Sequence, residues 1–151
     1  MGTSNLIFSP LSDEHIREGL QIYSQNFWTL DIPYSEKATT LEYWEDCLDA
    51  SYGVVGHVDN EMVCFYWAVK MPYLFNDDLI EGQEMFWFMQ PEYRKGKNFI
   101  RFLEQIEGVN NLNYIDFYSL NVNSSKLATG LEKYKYKPTM VTVRRDLNEL
   151  Y

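Results

Sequence analysis

The chain has 151 residues, 46% apolar and 17% aromatic, with only 8 glycines and 5 prolines. That length suits one domain with a real core, and the composition excludes a disordered or low-complexity chain. A net charge of −9 argues against general affinity for phosphate backbones, so nucleic-acid binding is the least favoured class.

Cys47 and Cys64 are the only cysteines, with no CxxC spacing, so neither a metal site nor a disulfide framework is expected. They read as reduced thiols. The opening stretch MGTSNLIFSPLSDEH has no basic segment followed by a long apolar one, and no run reaches eighteen apolar residues. The expectation is a soluble, cytoplasmic protein without membrane contact.

In chain order, Leu6 to Phe8 is a short β-prone stretch. Ser12 then offers an N-cap, Asp13 and Glu14 suit a first helical turn, and Ile16, Leu20 and Tyr23 form one apolar stripe. After Pro33 a second helix is expected, capped by Thr39 or Thr40, with Leu41, Trp44 and Leu48 facing inward. YGVVGHV and MVCFYWAVKM, separated by DNE, read as a hairpin that Pro72 and NDD close. EMFWFM, 84–89, reads as a strand buried on both faces and ended by Pro91. Phe99, Phe102, Leu103 and Ile106 mark a helix ending near Gly108. YIDFYSLNV, SSKLATGLEKY and PTMVTVRRDL read as strand, short helix and strand. The order is β-α-α-β-β-β-α-β-α-β, an α+β arrangement in a single domain, 1–151.

Charge is unevenly placed along this order. Residues 1–93 hold three cations against sixteen acids, while residues 94–151 hold ten against six. Arg94, Lys95, Lys97 and Arg101 crowd into eight positions between the buried strand and the amphipathic helix. A solvated basic turn is the plain reading. The sharper one is an anion site, because a helix's first N–H groups have no internal partners and its dipole is positive there. Gly96 would let a backbone come close to a ligand. Neither a GxxxxGK[ST] loop nor GxGxxG is present.

MFWFMQPEYRKGKNFIRFLEQIE resembles the acetyl-coenzyme A binding segment of the GNAT (Gcn5-related) N-acetyltransferases, where a central strand turns into the pyrophosphate-binding helix. YIDFYSLNVNSSKLATGLEKYKYKP is similar to that family's next strand, Asn-containing turn, short helix and closing turn, and LIFSPLSDEHIREGLQIY to its opening strand and helix. The Arg-Lys-Gly pattern is similar to small GNAT-like proteins of bacteriophages. Lys97 and Phe99 stand where the family's signature has glycine or alanine, and Leu131 where many members have a tyrosine.

The resemblance implies a GNAT-like fold: a mixed, mostly antiparallel sheet of about six to seven strands flanked by about four helices. It also implies acetyl-CoA as cofactor and transfer of an acetyl group to a primary amine. The acceptor would be a small cationic amine, such as a polyamine or aminoglycoside, or a protein lysine or N-terminus. Phe88 and Met89 would offer main-chain groups to the pantetheine arm. Arg94, Lys95, Gly96, Lys97, Asn98 and Phe99 would surround the pyrophosphate, and Asn123 would mark the point where two central strands part. Glu84, at the start of the central strand, is the candidate base, with His57 less favoured. Tyr134 and Tyr118 are candidate acids for the leaving thiolate. Trp28, Asp31 and Tyr34 would wall the acceptor site. The alternative is a catalytically inactive GNAT-fold binding or inhibitory protein, phage-encoded and acting on a host protein. Exposed aromatic runs such as YWAVKMPYLF point to a homodimer.

Overall fold

The computed structural model describes residues 5–25, 35–108, 112–117, 130–137, 145 and 147. They fall in two compact units, residues 1–118 and 119–151. In the first unit, β1 (Ile7–Pro10) leads into α1 (Asp13–Ser24). Ser12 caps this helix as its sequence predicts: its hydroxyl accepts from the His15 N–H, and His15 Nδ1 accepts from the Ser12 N–H. Ile16 and Leu20 go inward, almost fully buried.

The second helix is shorter than expected. Its positions divide between 3-10 turns at Glu36–Thr39 and Glu42–Trp44 and one α-turn, α2 (Glu45–Leu48). Neither Thr39 nor Thr40 is an N-cap. Their hydroxyls donate to the Glu36 and Lys37 carbonyls, and Ser35 caps the first turn. Leu41, Trp44 and Leu48 still pack inward, because spacings of three and four suit 3-10 and α turns alike.

β2 (Ser51–Val58), β3 (Glu61–Tyr73) and β4 (Asn76–Met89) form a long antiparallel meander. Asp59 and Asn60 turn the first hairpin with φ of 50° and 67°, as a two-residue loop between twisted strands requires. Pro72 does not close it. Pro72 lies inside β3 beside an irregularity in register, and the NDD segment opens β4. The central strand therefore begins at Asn76, not at residue 84, and Glu84 sits well inside it. Of the apolar run 65–75, Phe65 through Ala68 are fully buried, and Met71, Leu74 and Phe75 are exposed near the second hairpin's tip.

β5 (Tyr114–Ile115) adds parallel to β4, so the described sheet is mixed, in the order β1-β2-β3-β4-β5. That is five strands among the described residues, fewer than the six to seven expected. The last expected strand, PTMVTVRRDL, lies almost wholly outside them. In the second unit a helical turn at 130–132 holds Leu131 buried, and Lys135 takes a φ of 71°.

The sheet separates two cores. On one face Tyr52, Cys64, Tyr66, Ala68 and Met89 pack against Phe102 and Ile106 of α3 (Asn98–Glu107). On the other, Phe65, Trp67 and Phe86 pack against Ile16 and Leu20 of α1. Each such side chain contributes about 1.5–3 kcal/mol by leaving water. No described helix is long and apolar enough to cross a membrane.

At Gly53 of β2 a Cβ would fall on the Tyr66 carbonyl oxygen of β3, a backbone atom that cannot swing aside. Gly53→Ala is expected to cost about 3 kcal/mol of stability, the upper end for overpacking, read as a lower urea midpoint. An unchanged midpoint would contradict this packing.

Candidate functional site

The site is built around the last third of β4. Between Trp67/Ala68 of β3 and Phe86/Glu84 of β4 the register slips by one residue, leaving Met85 as the extra residue of a bulge. Beyond it, the Gln90 N–H donates to the Val63 carbonyl at 2.8 Å. Backbone groups in an antiparallel pair alternate sides, so those of Phe88 face β3, while those of Trp87 and Met89 lie on the opposite edge. Of the two strand-end residues the sequence singled out, Met89 is the one whose main chain faces away from β3.

Pairing with β5 is short. It runs over Glu81↔Tyr114 and Gly82↔Ile115, closed by the Asp116 N–H donating to Gly82 O at 3.3 Å. Asn113 clamps the start, its N–H donating to Ile80 O while its Oδ1 accepts from the Ile80 N–H. The Asp116 carbonyl then accepts from the Tyr66 hydroxyl at 2.8 Å, and Phe117 packs its ring on Tyr66 and Trp87.

After Met89 comes a 3-10 turn, Pro91–Tyr93, then Arg94 to Lys97, then α3. The basic cluster is less uniform than its sequence. Arg94 Nε donates to the Met89 carbonyl at 2.6 Å, tying the turn back to the strand. Arg101 donates to the Leu6 carbonyl and lies over the Phe8 ring, so it is a packing residue. Lys95 and Lys97 are exposed, and the Arg17–Glu14 ion pair is elsewhere. Gly96 has a φ of 61°, and a Cβ on it would meet nothing within 4 Å. The glycine therefore supplies the left-handed turn, and the space above it is open.

α3 begins unlike α1. No side chain caps it, and no acid sits in its first turn, whereas α1 has the Ser12–His15 box with Asp13 and Glu14. An uncapped helix start flanked by two uncompensated ammonium groups fits an anionic ligand such as a phosphate.

Glu84 is the buried charged residue of the core, 7% exposed, across from Ala68. Tyr23, at the end of α1, stacks on Phe86 with centroids 4.4 Å apart. Burial, then the nearby Glu84 charge, push its hydroxyl up to about 12. Sequence reasoning gave Tyr23 only a packing role, because its proximity to Glu84 depends on the tertiary fold. His57, the less favoured base, has its ring 5.5 Å from His15. Tyr134 lies in the second unit, where its N–H donates to the Leu131 carbonyl. Tyr118, Asn123, Trp28, Asp31 and Tyr34 lie outside the described residues. The two cysteines are free, and burial pushes the Cys64 thiol up to about 12, so it stays protonated and inert.

No protein-family model and no curated protein matches the chain in sequence. Solved structures match its fold. A predicted acetyltransferase from Clostridium acetobutylicum, crystallised with acetyl-CoA, is 14% identical over 94% of this chain and 96% of its own, with a TM-score of 0.65. The aminoglycoside N-acetyltransferase AAC(6')-Iy in complex with CoA is 13% identical over 97% of both chains, with a TM-score of 0.66. A GNAT family acetyltransferase from Staphylococcus aureus is 16% identical over 96% and 100%, with a TM-score of 0.60. At these identities the likeness establishes the fold: the chain has the GNAT architecture, as its strand–turn–helix segment implied.

Glu81, beside the short β4–β5 pairing, has its carboxyl pushed above the ordinary value by burial, then by a hydrogen bond and charge from Asp116. An acid held that way binds its proton more tightly folded than unfolded, so the stabilisation is present in acid and lost as pH rises through the folded value. Glu81→Gln should therefore raise the thermal midpoint at pH 7–8 and flatten its dependence on pH above about 4.3, the ordinary glutamate value. A wild-type midpoint flat across that range would contradict the coupling.

Proposed function

We propose that the chain is an acetyl-CoA-dependent N-acetyltransferase acting on a primary amine of a small cationic acceptor. One observation carries this: the uncapped N-terminus of α3 with Lys95, Lys97 and the open Gly96 turn, at the end of a bulged central strand, on a fold shared with acetyltransferases. Solved with CoA, one of those is an aminoglycoside N-acetyltransferase. The acidic first 93 residues would draw a cationic acceptor, and the basic remainder an anionic cofactor.

In this reading Lys95, Lys97, Asn98 and the N–H groups of Gly96 to Phe99 hold the pyrophosphate, and Arg94 fixes the turn to β4. Trp87 and Met89 turn main-chain groups toward the arm. Bound acetyl-CoA supplies an activated acyl group on a thiolate leaving group. Glu84 takes a proton from the acceptor ammonium, directly or through water, since only a neutral amine is nucleophilic. Trp28, Asp31 and Tyr34 shape the acceptor side, Asn123 borders the arm, and Tyr118 or Tyr134 protonates the thiolate. The setting is the cytoplasm, with both cysteines as free thiols.

Titration calorimetry should show acetyl-CoA binding that weakens about 10²–10⁴-fold in Lys95→Ala/Lys97→Ala, two charge-assisted contacts being worth about 1.5–3 kcal/mol each. No binding by the wild-type chain at millimolar ligand overturns the reading. Thiol release with an amine panel tests the chemistry. Glu84→Gln should lower kcat about 10²–10⁴-fold with little change in KM for acetyl-CoA, the range expected for losing a general base. Tyr118→Phe and Tyr134→Phe, compared in the same assay, identify the acid.

A further inference from the structure

The tip of the second hairpin is made of residues that neither its turn nor its core requires. The first hairpin turns at Asp59 and Asn60, polar residues that tolerate their positive φ. The second turns at Leu74 and Phe75, neither of which takes a positive φ. Both stand in water, 82% and 84% exposed. Two large apolar side chains at an exposed turn gain nothing by folding, and such conflicts between local sequence and fold collect at functional positions.

The tip also projects. β2 follows β3 only as far as Ser51↔Val69, and β5 follows β4 only from Glu81, so among the described residues 70–80 form a two-stranded ribbon. The Phe75 ring meets Tyr73 edge-on at 6.2 Å, and Tyr73 leans on Tyr114 of β5 at 5.4 Å. Met71 and Tyr114, aligned across Glu81 on one face, are exposed as well, which extends the apolar surface from the tip to β5.

The ribbon's edges discourage strand addition. On β3 the Lys70 N–H points outward to the Ala50 carbonyl, and Pro72, next on that edge, has no N–H. On β4 Asn113 takes both backbone groups of Ile80, and the Asn76 side chain accepts from the Asp78 N–H at 3.1 Å. Contact at the tip is therefore made by side chains. Charge selects what they contact: Asp77 and Asp78 follow the tip and are exposed, while Lys70 lies over the Tyr52 ring, 5.7 Å from its centre. A second copy meeting tip to tip would set these carboxylates against each other, and an anionic lipid surface would repel them.

We propose that the β3–β4 tip is a docking element for a basic, amphipathic polypeptide segment, with Leu74 and Phe75 on its apolar side and Asp77 and Asp78 against its lysines or arginines. The tip lies at the opposite end of β4 from the basic turn, so this does not rest on the acetyltransferase reading.

Fluorescence anisotropy with a labelled helical peptide of leucines and lysines, and with its leucine–glutamate counterpart, tests it. The wild-type chain should bind the first and not the second. Leu74→Ser/Phe75→Ser keeps the net charge and should weaken binding at least about tenfold, as losing an apolar anchor does. Asp77→Asn/Asp78→Asn should weaken it about two- to fivefold and make it less sensitive to salt. All four positions are exposed, so both variants should keep the wild-type thermal midpoint and acetyl-CoA affinity. No binding by the wild-type chain overturns the proposal, and so does binding that Leu74→Ser/Phe75→Ser leaves intact, which is charge attraction alone. A wild-type dimer in sedimentation that this variant abolishes makes the occupant a second copy. Wild-type retention on vesicles of phosphatidylcholine and phosphatidylglycerol that it abolishes makes the occupant a membrane. Either result overturns the proposal. A chain that binds the peptide but not acetyl-CoA overturns the acetyltransferase reading and leaves this one standing.

Discussion

Along its last third, β4 packs side chains into both cores while its described pairing with β5 ends at Gly82. A strand in that position must place backbone N–H and C=O groups on an edge away from water, and each unsatisfied one is costly. The arrangement around it is a set of answers to that constraint. The bulge at Met85 re-phases the strand, Asn113 closes the start of the parallel pairing with its side chain, and Arg94 takes the Met89 carbonyl. Tyr66 takes the Asp116 carbonyl on the other strand. These devices account for the backbone groups of β4 at Ile80, Gly82 and Met89.

The two main helices resolve the same electrostatic problem in opposite ways. α1 neutralises its positive end internally, with the Ser12–His15 box and two acids in the first turn. α3 does not, and Lys95 and Lys97 add positive charge instead. Leaving a helix start uncompensated next to like charge costs stability in the ligand-free chain. An anion bound there would offset that cost.

Much of this could be read from residue order, and the failures have identifiable causes. α1 was legible because cap, first-turn acids and apolar stripe all agree. The hairpin at Asp59–Asn60 was legible because two polar residues divide two β-prone runs. The first half of β4 was not: NDDLIEGQ has neither apolar alternation nor branched residues, and it is a strand because β3 pairs with it. The basic turn was visible as charge, but the separate tasks of its cations were not, because Arg94 and Arg101 are occupied by carbonyls at Met89 and Leu6. Tyr23 could not be singled out among twelve tyrosines. What distinguishes it is proximity to Glu84 across helix and strand.

The contact of Arg101 with the start of β1 has a consequence at the far edge of the sheet. β1 is an outer strand of four residues with Ile7 two-thirds exposed, the kind of open edge on which another chain could lay a further strand. Pro10 removes one donor from it, and the guanidinium of Arg101 occupies the Leu6 acceptor beside it while covering the Phe8 ring. A side chain that sequence alone would assign to ligand binding thus guards the edge against strand addition, and substituting it would be felt first as aggregation.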